Sequence, residues 1–416
     1  MGRSLEWLYP GLGIKRWLLL ACLGGAVLVY STIFAVGVFW SQQLLRGLGM
    51  GFLHDKHWAA MVLAFDGIVF GAIVLVIGAR RAWLFQQTSP ETVSEIRSAG
   101  RLARGPRVVA IGGGNGLAAL LRGLKSHTSN LTAVVTMADD GGSSGLLRRD
   151  MGMPPPGDLR NCLVALADDE SLMSQLFQYR FPDVGGLQGH SFGNLFLAAL
   201  AEVTGDFARA VQESTHVLKV RGRVLPSSLD DLVLHAQLEG GDQVSGESTI
   251  TAAERLPRRV WLTPAAPRPL PQVIAAIAGA DLVVLGPGSL YTSVIPNLLI
   301  AEVRDAIKDT RAWVVYVCNV MTQSGETDGY TAGDHLDALY RHGLTGLVDV
   351  VLVNDAPVSD DVAANYRRFG ARPVAVDERR LKEQGVKVIH AAMATESGVV
   401  RHDSASLTQA LLRVLR

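Results

Sequence analysis

Two runs near the N-terminus lack any alternation of apolar and polar positions. From Trp17 to Leu45 no side chain is charged, and between Trp58 and Ala79 Asp66 alone is. A bilayer span takes about 20 consecutive apolar residues, so the pattern predicts two transmembrane helices, over residues 17–40 and 58–79. Of the aromatic residues Trp17, Tyr30, Trp40, Trp58 and Trp83, several fall near the span ends, where amphipathic rings prefer the membrane interface. Lys15 and Arg16 precede the first run, Arg80 and Arg81 follow the second, and Arg97, Arg101, Arg104 and Arg107 lie beyond. The connecting loop has Arg46 and Lys56, partly offset by Asp55. This basic bias puts both ends of the hairpin on the cytoplasmic side. The expected location is the inner cell membrane, as a multi-pass anchor with the soluble domain and both termini in the cytoplasm. A signal peptide accounts for the first run but leaves the second unexplained. Asp66 is costly inside a bilayer, so it has a reason to be there. It serves a function, faces its partner helix or lies at a lipid-thinned site, and one acid without an intramembrane partner supports no claim of transport.

Residues 86–106 are polar and close on Gly105-Pro106, which reads as a linker or a short helix ending in a turn. From Arg107 the pattern changes to short β-branched runs alternating with amphipathic stretches. Val108–Ile111 and Leu131–Met137 read as buried strands, with a helix around Leu117–Leu124 between them. Asp281–Leu285, Trp313–Cys318 and Val348–Val353 repeat this pattern, and Pro373–Val376 and Val386–Ile389 extend or flank the sheet. Leucines at helical spacing over Ser404–Leu415 close the chain. The alternation predicts an α/β domain over residues 107–416: a mostly parallel sheet, helices on both faces, right-handed crossovers. The middle differs. Asp231–Leu238 and Val244–Ile250 read as strands paired about Gly240-Gly241, with Arg259–Leu262 as a third. A small antiparallel insertion is predicted over residues 221–263.

Composition narrows the function classes. The 416 residues are 48% hydrophobic and 19% charged, and the mean hydropathy of +0.23 is high for a soluble protein, as a membrane hairpin requires. Thirty-nine basic residues balance 39 acidic ones, so no global basic excess points to nucleic acid. Cys22, Cys162 and Cys318 are widely separated, which argues against a disulfide framework or structural zinc and fits a reducing compartment.

The candidate chemistry sits in loops that follow the strands. Gly112-Gly113-Gly114-Asn115-Gly116 joins a strand to a helix, where glycines admit a ligand to the backbone and free N–H groups attract an anion. A tight turn without a ligand is the plain alternative. The spacing is not the dinucleotide fingerprint, because Leu117 stands where its last glycine would fall, and no Gly-Lys-Ser/Thr closes a Walker loop. No NAD is expected. Asp139-Asp140-Gly141-Gly142-Ser143-Ser144 ends the second strand. One acid there could accept ribose hydroxyls and another hold a hydrated divalent metal beside a phosphate, or the pair could simply build an Asx turn. In extended backbone the two carboxylates point apart, so one is expected to face the site. Asp158, in the segment Pro154-Pro155-Pro156-Gly157-Asp158-Leu159-Arg160-Asn161, is a natural helix cap or a further acid in the cleft. Asp139 and Asp158 are the candidate metal ligands, and Asn161 a candidate contact. His190 could be a general acid or base, though a structural bond is the commoner role, and Ser191 and Asn194 cap the next helix or touch a ligand. Arg221, with Arg223, would clamp a phosphate or be an ordinary surface charge. Gly286, Gly288, Ser289 and Tyr291 form another strand-turn-helix junction, where Tyr291 stacks on a base or packs inside. The segment with Asn319, Gln323, Glu326 and Thr327 follows the next strand and is polar throughout. Several such loops at one edge of an open α/β sheet indicate a nucleotide-linked ligand.

As a set, GGGNGLAALLRGLK, ADDGGSSGLLR, PPPGDLRN, GHSFGNLFLAAL, RGRVLP, LGPGSLYTSVIPNLL and VYVCNVMTQSGETDGYTAGDH resemble the bacterial gluconeogenesis factor family, the YvcK-like branch of the CofD-like proteins. The resemblance runs from about Arg107 to near the C-terminus. It implies a Rossmann-like fold, binding of UDP-sugars such as UDP-N-acetylglucosamine, and a role in cell shape and envelope synthesis during gluconeogenic growth. The related CofD branch transfers a phospholactyl group from a guanosine diphosphate conjugate with magnesium, so Mg2+ is the implied cofactor. The blocks GPGSLYTS and CNVMTQSGET look like the sugar-nucleotide branch, which favours a binder or sensor over a transferase. The expected partners are a UDP-sugar or related nucleotide, the inner membrane, cell-envelope synthesis proteins and further copies of the chain, with no nucleic acid.

Overall fold

A computed structural model describes residues 14–48, 57–86, 98–168, 172–182, 185–396 and 400–415. The chain divides into two compact units, Met1–Arg101 and Leu102–Arg416. Most of the predicted linker, and the loop charges Asp55 and Lys56 with Arg97, lie outside the described residues.

Among its described residues the first unit holds two long helices, Ile14–Gly47 and His57–Gln86. Their apolar stretches, Lys15–Leu44 and Trp58–Trp83, are long and apolar enough to cross a membrane, with mean hydropathies of 2.2 and 2.6. Large side chains such as Leu23, Ile33, Phe70 and Val76 stay exposed on their outer surfaces. Small residues bring the two helices together: a methyl on Gly24 would lie 2.5 Å from Leu75 N, and one on Gly71 2.7 Å from Leu28 N. Contact at this range requires glycine, because any Cβ would meet backbone.

In the second unit the strands are β1 (Val108–Gly112), β2 (Leu131–Val135), β3 (Arg223–Pro226), β4 (Val233–Leu238), β5 (Gln243–Ser245) and β6 (Pro257–Thr263). They continue with β7 (Leu282–Leu285), β8 (Trp313–Val317), β9 (Val350–Asn354), β10 (Lys387–Ala391), β11 (Ala394–Glu396) and β12 (Val400–His402). Seven form one parallel sheet in the order β10-β9-β8-β7-β1-β2-β3, flanked by helices. The fully buried strands β1, β2 and β7 are the β-branched runs that a sheet covered on both faces demands. Helix Gly114–Leu124 buries Leu117, Leu120, Leu121 and Leu124 completely. Strands after β1 progress to one side and strands from β7 to the other, so the sheet reverses direction between β1 and β7. That switch point opens a crevice beyond the carboxyl ends of the strands.

The antiparallel sheet β5-β4-β6 is the predicted insertion with shifted limits. Arg223–Pro226 belongs to the main sheet, paired in parallel with β2. The segment read as one strand over Val244–Ile250 breaks at Gly246, whose φ of +98° turns the chain, and continues as helix Glu247–Ala252. Pro373–Val376 makes only single bridges, to Met321 and Thr331, instead of a strand.

Candidate functional site

The crevice is built where the two glycine loops meet. Gly112, at the end of β1, lies against Gly286 at the end of β7, with Cα of Gly286 3.7 Å from where a methyl on Gly112 would sit. A methyl on Gly116 would lie 2.7 Å from the Pro287 carbonyl oxygen, and one on Gly288 3.2 Å from Gly113 O. Gly114 has φ +66°, which opens the first turn of helix Gly114–Leu124 toward the crevice. Asn115 is exposed on that turn. Asn297, fully buried, ties the loop down by donating to Gly112 O at 3.2 Å.

Acids line the next part of the crevice. Asp158 Oδ2 accepts the Gly114 N–H at 2.8 Å, so this carboxylate sits at the helix N-terminus where an anion would otherwise bind. Asp139 Oδ1 accepts from Gly141 N at 2.9 Å. A methyl on Gly141 would be 3.4 Å from Asp139 Oδ1 and 3.9 Å from Glu247 Oε2, so Glu247 of the insertion reaches the same place. Asp140 turns the other way, accepting from Ser248 N at 2.8 Å. Burial, with the charge of Asp139, pushes Asp158 up to about 6. Burial also raises Asp139 against the bonds it accepts from Gly141 and Ser144. Glu247 is pushed up to about 7 by burial and by the charges of Asp139, Asp140, Glu326 and Asp158.

These acids bind their protons more tightly folded than unfolded. Their stability contribution is complete below the unfolded values and is lost as pH rises through the folded ones. The windows run from 3.8 to about 6 for Asp158 and from 4.5 to about 7 for Glu247. The melting temperature of the ligand-free protein is expected to fall by roughly 5 °C between pH 5 and pH 8. Thermal scans across that range check it, and a flat or rising profile would contradict the cluster.

A hydrogen-bonded network adjoins the acids. Ser143 Oγ lies 3.1 Å from His190 Nδ1 and accepts from Asn194 Nδ2 at 3.0 Å. Ser144 Oγ accepts from Gly157 N at 3.1 Å. Ser191 caps helix Phe192–Thr204 and also receives Arg160, whose second amino group donates to Asn161 Oδ1 at 2.8 Å. Beyond Gly288, Ser289 Oγ donates to Gln323 Oε1 at 2.8 Å. Thr327 is fully buried, its hydroxyl accepting Gln323 N at 2.9 Å. Glu326 is buried beneath this loop, with Oε1 receiving the N–H groups of Tyr291 at 2.7 Å and Thr292 at 3.0 Å.

Three sequence candidates stand elsewhere. Arg221 pairs with Asp168, and it precedes β3, which runs parallel to β2 with Arg223 beside Thr132. Parallel pairing from this start puts Arg221 at the opposite edge of the sheet from the crevice. Tyr291 is completely buried, its hydroxyl 2.9 Å from that of Tyr330 and receiving Arg341, so no open ring surface remains for stacking. Asn319 lines a separate cavity of 170 Å³ with Asn354 and Asp355 at the ends of β8 and β9. Sequence reasoning missed Glu247 and Asn297. Asn297 stands within a motif block, while Glu247 carried no signal in a segment that read as a strand.

Comparison with known proteins accords with this architecture. Residues 108–394 match the family model of 2-phospho-L-lactate transferase CofD. The gluconeogenesis factor of Halalkalibacterium halodurans is 52% identical over 306 residues, which span 73% of this chain and 95% of that protein. That of Bacillus subtilis is 48% identical over 312 residues, 75% of this chain and 98% of its own. A gluconeogenesis-factor relative from Nostoc sp. is 44% identical over 426 residues, covering 98% of this chain and 92% of its own, so the likeness extends through the N-terminal unit. The crystal structure of protein BH3568 from Bacillus halodurans superposes with a TM-score of 0.72 at 52% identity, covering 74% of this chain and all of that one. The chain belongs to the CofD family and, within it, groups with the gluconeogenesis factors.

Proposed function

We propose that the second unit is a cytoplasmic UDP-sugar binder, with UDP-N-acetylglucosamine as its representative ligand. It reports precursor supply to cell-envelope synthesis and so supports cell shape during gluconeogenic growth. The two N-terminal helices span the inner membrane and hold the binder where envelope precursors are consumed. The observation that carries the reading is the crevice at the β1–β7 switch point, where two glycine loops approach within van der Waals contact and helix Gly114–Leu124 opens. Such crevices at the switch point of an open α/β sheet hold nucleotides.

The acids of the crevice call for a cation. A diphosphate beside Asp158, Asp139 and Glu247 would be repelled, and an Mg2+ held by these acids would offset that charge. Among the described residues no three acidic, histidine or cysteine side chains form an all-protein metal cage. Mg2+ is usually held by one or two carboxylates together with substrate phosphates and waters. Asp139 and Asp158 would hold it, with Glu247 orienting its waters.

Calorimetric titration of the full-length protein with UDP-N-acetylglucosamine, GDP and NAD, with and without Mg2+, tests this reading. UDP-sugar is expected to bind at least tenfold more tightly than the others in the presence of Mg2+ and to be recovered intact. Glu247→Gln should reduce the gain from Mg2+ while leaving the weaker metal-free binding in place. Equal losses with and without the ion would remove Glu247 from the cation site. The match to the transferase model, with acids able to hold Mg2+, favours a second reading: magnesium-dependent transfer of a phospholactyl group from a nucleoside diphosphate donor. Preference for the guanosine nucleotide, or consumption of a phospholactyl-guanosine donor, would select it.

A further inference from the structure

Glycine contacts fix the register of the two N-terminal helices. A methyl on Gly71 would meet Leu28 N at 2.7 Å, one on Gly78 would meet Ala21 N at 2.6 Å, and one on Gly67 would meet Ser31 Oγ. Residues 71, 78 and 67 thus face residues 28, 21 and 31, as in an antiparallel pair. In this register Asp66 lies level with Thr32 and within roughly 3–5 Å, along the axis, of the level of Tyr30. Asp66 is about 12 Å along its helix from Trp58, inside a hydrocarbon core of about 30 Å if the pair spans a bilayer.

Both groups are left over by the packing of the hairpin. Tyr30 is 73% exposed and Asp66 is exposed. Ser31, by contrast, is buried, and the Thr32 hydroxyl returns to Leu28 O at 2.7 Å. Among the described residues neither the Tyr30 hydroxyl nor the Asp66 carboxyl has a partner. Ionisable groups inside a bilayer almost always face protein or a water-filled cavity.

Their positions around the helices are matched. At 100° per residue, Tyr30 stands about 140° from the contact stripe of Ala21, Gly24, Leu28 and Ser31. Asp66 stands about 130°, in the same rotational sense, from the stripe of Ala64, Gly67, Gly71 and Gly78. Because the helices are antiparallel, nearly equal rotation brings both groups to the same broad face of the hairpin, at opposite margins. A two-fold axis along the membrane normal keeps each group at its depth and exchanges the margins. Two such faces laid together set each Tyr30 hydroxyl, a donor, beside the other copy's Asp66, an acceptor.

We infer that this face is an intramembrane interface with a second copy of the chain, closed by two symmetric Tyr30–Asp66 hydrogen bonds. The inference rests on the membrane-spanning reading of the hairpin, and the test separates the two. Full-length protein is first recovered in membranes and washed with alkali; extraction into the supernatant would overturn the spanning reading itself. Protein that resists the wash is labelled at its C-terminus, and self-association is followed by energy transfer in phospholipid vesicles over a range of protein-to-lipid ratios. Wild type is expected to associate, with Asp66→Ala and Tyr30→Phe each weakening association at least tenfold while still resisting the wash. Tyr30→Phe keeps the ring and removes only the hydroxyl, so it decides the matter if Asp66→Ala inserts poorly. A wild-type chain that is monomeric in vesicles, as a contact with a different protein would leave it, overturns the inference. So does association unchanged by Tyr30→Phe.

Discussion

Gly116→Val is expected to abolish nucleotide binding, lowering affinity more than a hundredfold, and to cost about 1–3 kcal/mol of stability. The first atom of any side chain at this position would lie 2.7 Å from Pro287 O and 3.2 Å from Gly288 N. Both are backbone atoms of the facing loop, so neither can rotate aside, and relief requires the helix after β1 to move away from the loop after β7. That separation widens the crevice the ligand must bridge and shifts the N-terminus of helix Gly114–Leu124, which Asp158 holds through Gly114 N. Calorimetry with UDP-N-acetylglucosamine and urea unfolding of the same preparation check it. Arg379→Ala, at an exposed side chain that pairs with Glu383 and has no part in the crevice, is the control and should change little. A valine variant that binds like wild type would show that the ligand does not use this crevice.

The features legible in the sequence were those whose cause is local. Continuous β-branched runs announced strands buried on both faces, and Val108–Ile111 and Trp313–Cys318 fall within a residue or two of β1 and β8. Glycines before helices announced the close approach of the loops, and the long apolar stretches announced the two long N-terminal helices. What remained hidden depends on contacts between distant segments. Arg221-Gly222-Arg223 has the chemistry of a phosphate clamp, but the parallel pairing of β3 with β2 sends it to the far edge of the sheet. Tyr291 sits in a glycine-rich loop, yet its ring fills space beside Tyr330 and His342. Glu247 enters the acid cluster only because Gly246 reverses the chain and Asp140 captures the Ser248 amide. Of the two adjacent acids, Asp139 accepts the Gly141 amide, whereas Asp140 accepts the Ser248 amide and braces the insertion.

Glu326 joins stability to protonation, and its substitution separates the two. The side chain is 2% exposed, and Oε1 alone satisfies the amides of Tyr291 and Thr292 in the turn that follows the second glycine loop. Glu326→Ala strands both donors without solvent, at about 1–3 kcal/mol for each, so the variant should lose about 2–6 kcal/mol of stability. Glu326→Gln retains an acceptor of the same size and reach and should lose much less. Burial outweighs the accepted bonds and pushes this carboxyl from 4.5 up to about 7. An acid raised in the folded state contributes fully below its unfolded value, and that contribution fades as pH climbs through the folded value. Wild type should therefore lose stability between pH 5 and pH 8, whereas the glutamine variant lacks this titration and should close the gap, or overtake wild type, at pH 8. Urea midpoints for the three proteins at both pH values decide the point. If alanine and glutamine are equally destabilising, the bonds to Tyr291 and Thr292 are not what Glu326 supplies. If all three profiles run parallel with pH, the group carries the same charge folded and unfolded, and the turn beneath the crevice is held by geometry alone.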